Sequence, residues 1–299
     1  MRTTSFSMEK YLMKEYKEKI IESIFSVTGF IAVACVILIT IYLLMAGIPA
    51  ITKIGFVNFI FGEKWISTGS NPRFGILPFI LTSFYGTIGA IILGVPIGFF
   101  SAVYLAKIAC KPVKICVETA VNLLAGIPSV VYGLIGMLVL VPGIRKIFKL
   151  PDGSSLMAAI IVLAIMILPT VIKVSITALE AVPKEYEEAS LALGATSIET
   201  YFRVSVPAAK SGIVTAIVLG VGRAIGEAMA VIMVSGNAPN LPSLFESVRF
   251  LTTAVSSEMS YAADGSLHQQ ALFSIALVLF FFIMLINVSL NVLLKQNRK

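Results

Sequence analysis

Residues 182–210 read VPKEYEEASLALGATSIETYFRVSVPAAK, a polar stretch with long apolar runs on both sides. Pro183 suits the first turn of a helix, where its missing N–H leaves nothing unpaired. Glu185, Glu187 and Glu188 then fall near the positive end of that helix dipole. Gly194 is a stop signal, because glycine adopts the left-handed conformation that ends helices. Thr196 and Glu199 have capping-box spacing, and Pro207 limits the second short helix that they start. The predicted product is two short helices with a sharp glycine joint. Leu191, Leu193, Tyr201 and Phe202 give it an apolar surface of the kind that seats in a partner's groove.

On either side the chain is written for lipid. A spanning helix needs about 20 mostly apolar residues. Six runs qualify, with helices expected at about 24–46, 76–104, 117–141, 155–173, 211–235 and 271–294. An even number of spans puts both termini on one side. With that side inside, the inner segments hold Arg2, Lys10, Lys14, Lys17, Lys19, Lys107, Lys111, Lys114, Lys173, Lys184, Arg203, Lys210, Lys295, Arg298 and Lys299. The outer segments hold only Lys53, Lys64, Arg73, Arg145, Lys146, Lys149 and Arg249. Basic residues favour the cytoplasmic side, so cytoplasmic termini are predicted, with the Arg145–Lys149 cluster as a local exception.

Composition excludes several classes of function. Only 13% of the 299 residues are charged and 58% are hydrophobic, with mean hydropathy +0.95. A soluble domain carries about 25% charged residues, so a soluble enzyme or a disordered chain does not fit. The single histidine, His268, leaves no His-based triad and no two-histidine zinc motif. Cys35, Cys110 and Cys116 are odd in number and lack metal-ligand spacing, so free thiols are expected. The net charge of +7 sits beside apolar runs and reads as membrane orientation rather than nucleic-acid binding. No G-x-x-x-x-G-K-[ST] stretch is present to cradle a nucleotide phosphate.

The fifth span carries two charges, Arg223 and Glu227, each costing roughly 2.5–3.5 kcal/mol at the bilayer centre. Four residues apart on a continuous helix, they would share a face and neutralise each other in part, turned to the bundle interior or a wet path. Arginine is suited to bidentate contact with oxyanions. Gly94-xxx-Gly98 and Gly222-xxx-Gly226 are read as helix-packing glycines. Trp65 is expected as an interfacial aromatic anchor, His268 as an exposed residue, and the 9–19 run as a helical segment at the cytoplasmic surface.

Glu188-Ala189-Ser190, three residues, Gly194, nine residues and Val204-Ser205-Val206-Pro207 resemble the EAA motif of ATP-binding-cassette importer permeases. Ser190, Val204 and Val206 depart from it conservatively. The resemblance implies a coupling loop over 182–207 that docks on an ATPase through Glu188, Ala189, Gly194 and Pro207. Further residues, WISTGSNPRFGILPF (65–79), LLAGIPSVVYGLIG (123–136) and GRAIGEAMAVIMVSGN (222–237), are similar to PstC-type permease subunits of bacterial phosphate importers. That resemblance implies an all-α, polytopic chain with six transmembrane helices and the type I importer fold. Residues 1–70 would hold a tail, the first helix and an external segment, and 71–295 the permease domain. It also implies a second permease subunit, two ATP-binding-cassette subunits, an extracytoplasmic phosphate-binding protein and a lipid setting. Arg223 and Glu227 would match the substrate pathway. No metal or cofactor is expected on this chain, with ATP used by the partner ATPase. The sister permease subunit of the same transporter and sulfate or molybdate permeases remain alternatives. A secondary anion transporter is disfavoured because six spans with one cytoplasmic docking loop do not suggest two halves with internal repeats and broken helices. An intramembrane hydrolase is disfavoured by the lack of histidine in the spans.

Overall fold

A computed structural model describes the backbone of residues 2–69 and 71–296 and the side chains of 18–69 and 71–289. The first helix, α1 (Arg2–Ile54), joins the mixed-charge N-terminal run to the first apolar run without a break. The side chains of that run up to residue 17 lie outside the described residues. Gly55, at φ 90°, ends α1, and α2 (Phe56–Phe61) follows. Strands β1 (Trp65–Ile66) and β2 (Arg73–Phe74) form a small antiparallel ribbon, with Trp65 opposite Phe74.

The bundle itself comprises α3 (Leu77–Val103), α4 (Lys111–Gly126), α5 (Ser129–Ile135), α6 (Val141–Phe148) and α7 (Leu156–Glu180). It continues through α8 (Lys184–Ala192), α9 (Ser197–Thr200), α10 (Val206–Ala208), α11 (Lys210–Gly226) and α12 (Met229–Val234), and closes with α13 (Leu251–Glu258) and α14 (Leu267–Gln296). Among the described residues, five helices or helix runs are long and apolar enough to cross a membrane. A sixth arises if the bent pair 197–208 and 210–226 is one span.

Helix α7 is the central element, packed against α3 and α11. A Cβ on Gly94 would lie 2.8 Å from Ile167, and one on Gly98 would lie 2.9 Å from Val171. The first glycine pair is therefore a close-packing seam, as expected from small residues between lipid-embedded helices. The second is not: added Cβ atoms on Gly222 and Gly226 meet nothing within 4 Å. Those two glycines face open space beside Arg223.

Three spans differ from their sequence expectation. The third does not run through 117–141. It breaks after Gly126, and Ile127 is extended at ψ 127°. Pro128 contributes to this, since it disfavours the helical conformation at the residue before it and supplies no N–H. The span restarts at Ser129 and reaches Phe148, so Arg145 and Lys146 sit in its last turn, where cations suit the dipole. The fourth does not end at 173 but continues to Glu180, with Lys173 on its partly exposed face. The fifth does not run to 235 as one helix. It stops at Gly226 and restarts at Met229.

Candidate functional site

At one end of α7 and α11 the chain builds the two short helices. Leu193 caps α8, and Gly194 takes φ 87°. The Gly194 N–H reaches Leu191 O at 2.9 Å and the Ala195 N–H reaches Ser190 O at 3.3 Å, which uses carbonyls freed at the helix end. Thr196 and Glu199 form the reciprocal capping box, with Thr196 N–H donating to Glu199 Oε2 at 3.0 Å and Glu199 N–H to Thr196 Oγ1 at 3.3 Å. The backbone and hydroxyl of Thr196 hold the Glu199 carboxyl below the ordinary carboxylate range. Ser190, the departure from the EAA pattern, is used: its hydroxyl lies 2.9 Å from that of Thr200, linking α8 to α9.

Glu188, Ala189 and Gly194 are exposed here, with Pro207 in α10. So are Tyr186, Leu191, Leu193, Ile198 and Phe202, and Leu193 is 90% exposed. The side chain that fixes this pair to the bundle was missed in the sequence. Glu187 Oε1 meets Lys107 Nζ at 2.5 Å and accepts from Ser205 Oγ at 2.8 Å. Partial burial raises the Glu187 carboxyl, but the Lys107 and Ser205 contacts outweigh it and hold it below the ordinary range. Lys114, on α4, pairs with Glu180 at the end of α7; that contact raises its ammonium above the ordinary value. The only signal in sequence was that Glu187 is one of three glutamates near one helix start.

Within the bundle, Arg223 and Glu227 are not brought together. The end of α11 at Gly226 leaves Glu227 extended at ψ 128°, so the shared helix face expected from their spacing does not exist. Among the described residues the Arg223 side chain makes no ion pair or hydrogen bond. It lies half-buried within electrostatic reach of Tyr132. Glu227 works locally instead: its Oε1 accepts from Ala230 N–H at 3.0 Å, capping α12, and its carbonyl accepts from Thr252 Oγ1 at 2.8 Å.

Two breaks share this region. Tyr132, on α5, donates to Leu124 O at 2.7 Å and so bridges the Pro128 break. An added Cβ on Gly133 would lie 2.8 Å from Ala230 Cα, so α5 and α12 touch backbone to backbone. Irregular backbone at membrane depth is tolerated where it is enclosed by protein or lines a water-filled cavity. Here it flanks an uncompensated arginine.

The opposite end of the bundle carries a cluster assigned no chemistry from sequence. Glu258 is 3% exposed; its carboxylate accepts from Trp65 Nε1 at 3.0 and 3.2 Å, pairs with Arg249, and lies 2.7 Å from His268 Nε2. Trp65 is therefore buried at 5% exposure between Phe74 and Phe79 and is not an interfacial anchor. His268 is likewise enclosed, stacked on Phe74, and is not an exposed bystander. Trp65 lies 193 residues from Glu258, and His268, ten residues away, meets Glu258 only because the chain turns between α13 and α14.

A family model described as binding-protein-dependent transport system inner membrane component matches residues 94–298. The chain is 41% identical over 265 residues to the probable ABC transporter permease protein YqgH of Bacillus subtilis, covering 86% of each. It is 32% identical over 260 residues to the phosphate transport system permease protein PstC of Mesorhizobium japonicum, covering 79% of this chain and 77% of that one. In fold it is similar to a chain of the inward-facing MetNI methionine ABC transporter, with TM-score 0.55 at 21% identity over 75% of this chain and 94% of that chain. An exposed pair of short helices at one end, broken helices around an arginine in the fifth span and this breadth of likeness converge. The chain belongs to the binding-protein-dependent transport system inner membrane components, as a non-enzymatic, multi-pass permease subunit of an ABC importer in the plasma membrane, with the type I fold.

Proposed function

We propose that this chain conducts inorganic phosphate, forming the translocation path with a second permease subunit. The observation that carries the reading is Arg223, half-buried in a span, its side chain without a hydrogen-bond or ion-pair partner among the described residues, between two helix breaks. A guanidinium there offers a forked donor to a passing oxyanion. Passage needs weak binding, and a single arginine without a cage of donors meets that need. Likeness to phosphate transport system permease proteins PstC supports phosphate over sulfate or molybdate. In this reading an extracytoplasmic phosphate-binding protein delivers the ion. Two ATP-binding-cassette subunits hydrolyse ATP, and one docks on the exposed face around Glu188, Ala189, Gly194, Leu193 and Pro207. The chain itself holds no cofactor or metal. Uptake of labelled phosphate by the reconstituted importer should be competed by arsenate and unaffected by sulfate or molybdate. Equal competition by sulfate rejects the phosphate assignment.

The reading also sets orientation, with both termini and the α8–α9 pair in the cytoplasm. Ser256 and Ser197 are both exposed. In a background lacking the three native cysteines, Ser256→Cys should react with a membrane-impermeant thiol reagent on intact cells, and Ser197→Cys only after permeabilisation. The reverse pattern overturns the orientation.

A further inference from the structure

Both ends of α13 are held by side chains from other elements. At its start, Leu251 N–H donates to Ser83 Oγ on α3 at 3.0 Å. Thr252 Oγ1 donates to the carbonyl of Glu227 at 2.8 Å. That carbonyl lies just past the end of α11 and has no helical partner, so this hydroxyl satisfies it. At its end, Glu258 is clamped by Trp65 of the ribbon, by Arg249 and by His268 of α14. Arg249 is fixed in turn. Its Nε donates to Asn237 O at 2.8 Å, at a residue with φ 53°, and its guanidinium lies 5.8 Å from the Phe79 ring centre. Eight helical residues span about 12 Å, so one short rigid body links the outer ribbon to the joint beside Arg223.

We propose that α13 is a positioning strut: Thr252, seated on the open carbonyl of Glu227, and Glu258, clamped by Arg249, Trp65 and His268, set the joint that carries Arg223 in register with the outer ribbon. A displacement of the ribbon moves Glu258, the body of α13 follows, and Thr252 carries the Glu227 carbonyl with it. Thr252 and Glu258 are positioning residues that act through the joint and do not touch the anion. The functional part of this inference rests on the reading of the 223–227 joint as part of the anion path.

The test uses the complete transporter with Cys35, Cys110 and Cys116 replaced by serine and Gly226→Cys as a reporter. Gly226 is exposed, and a Cβ there meets nothing within 4 Å. Thr252→Val removes the hydroxyl at nearly constant shape, and Glu258→Gln removes the charge of the clamp. Both should change the labelling rate of the reporter by about fivefold, the weight of one such hydrogen bond, and lower maximal uptake by a similar factor at unchanged KM. Thr252→Ser keeps the donor and should restore both readouts. A Thr252→Val labelling rate within about twofold of the parent overturns the strut. Shifted labelling with undiminished uptake keeps the strut and removes the joint from the anion path. Unchanged labelling, with Arg223→Ala still blocking uptake, keeps the path and removes the strut.

Discussion

Arg223→Ala lowers phosphate uptake by the assembled importer by about 10- to 100-fold while the ATPase subunits still co-purify. The magnitude follows from losing a charged hydrogen-bond donor, worth roughly 1.5–3 kcal/mol, with about 1.4 kcal/mol per tenfold in rate. Assembly is spared because the Arg223 side chain makes no hydrogen bond or ion pair among the described residues and the docking pair lies at the far end of α11. Arg223→Lys keeps the charge and loses the planar fork, so it should transport slowly. The extended backbone at Glu227 makes the double variant informative. In a purely structural ion pair, removing both charges restores function, because the burial penalty disappears with them. Here the two side chains do not pair, so Arg223→Ala with Glu227→Ala should be no better than Arg223→Ala alone. It should be somewhat less stable, since the cap on Ala230 N–H is lost at a cost of about 1 kcal/mol. Glu227→Gln keeps an acceptor oxygen for that cap and should assemble normally. Near-normal uptake by the double alanine variant rejects a pathway role for Arg223.

Glu187→Ala separates ATP hydrolysis from transport. Its removal strands Lys107, whose side chain is only 10% exposed, without its carboxylate. Breaking such a pair costs up to about 3 kcal/mol, enough to release α8 from the end of α3. The expected result is an inserted subunit whose substrate-stimulated ATP turnover falls at least tenfold while basal turnover persists. Glu187→Leu with Lys107→Met replaces the pair by apolar contact and should recover most of the coupling. The same clamp sets a pH expectation. The Glu187 carboxyl is held below its ordinary 4.5, so its contribution is complete above that value and disappears as pH falls through the lowered one. Coupling should therefore be flat through neutral and mildly acidic pH as far as this group is concerned. Normal coupling in the Glu187→Ala complex removes the clamp from the mechanism.

The sequence was most legible where the cause of structure is local. The glycine stop at 194 and the Thr196–Glu199 box depend on neighbours within a turn, and both are present as read. The Pro128 break was less legible, since Val95-Pro96 and Leu168-Pro169 stand inside unbroken helices and an X-Pro pair in an uncharged run does not by itself fix an interruption. The break at Gly226 is different. Nothing in GRAIGEAMA forbids a helix, and the extended Glu227 exists because Ala230 and Thr252 take up its oxygens. The Lys107–Glu187 and Trp65–Glu258 contacts join residues far apart in the chain, and no spacing rule reaches across such distances. The candidate site was thus readable as residues and not as geometry: Arg223 stood out by its charge, while its solitude is a tertiary property.

The packing of α1 carries a consequence for synthesis. Its apolar side chains are exposed over most of residues 20–48, and it meets the bundle chiefly along α14. Gly47 makes that contact close, with Ser274 Oγ donating to its carbonyl at 2.6 Å across 227 residues of sequence. Helix α1 is synthesised before α14, its main packing partner. Until α14 is made, α1 must hold its place in the bilayer by its own hydropathy rather than by that contact. The α1–α14 contact closes only once α14 is made, and truncation before Ser274 removes the hydroxyl that donates to the Gly47 carbonyl.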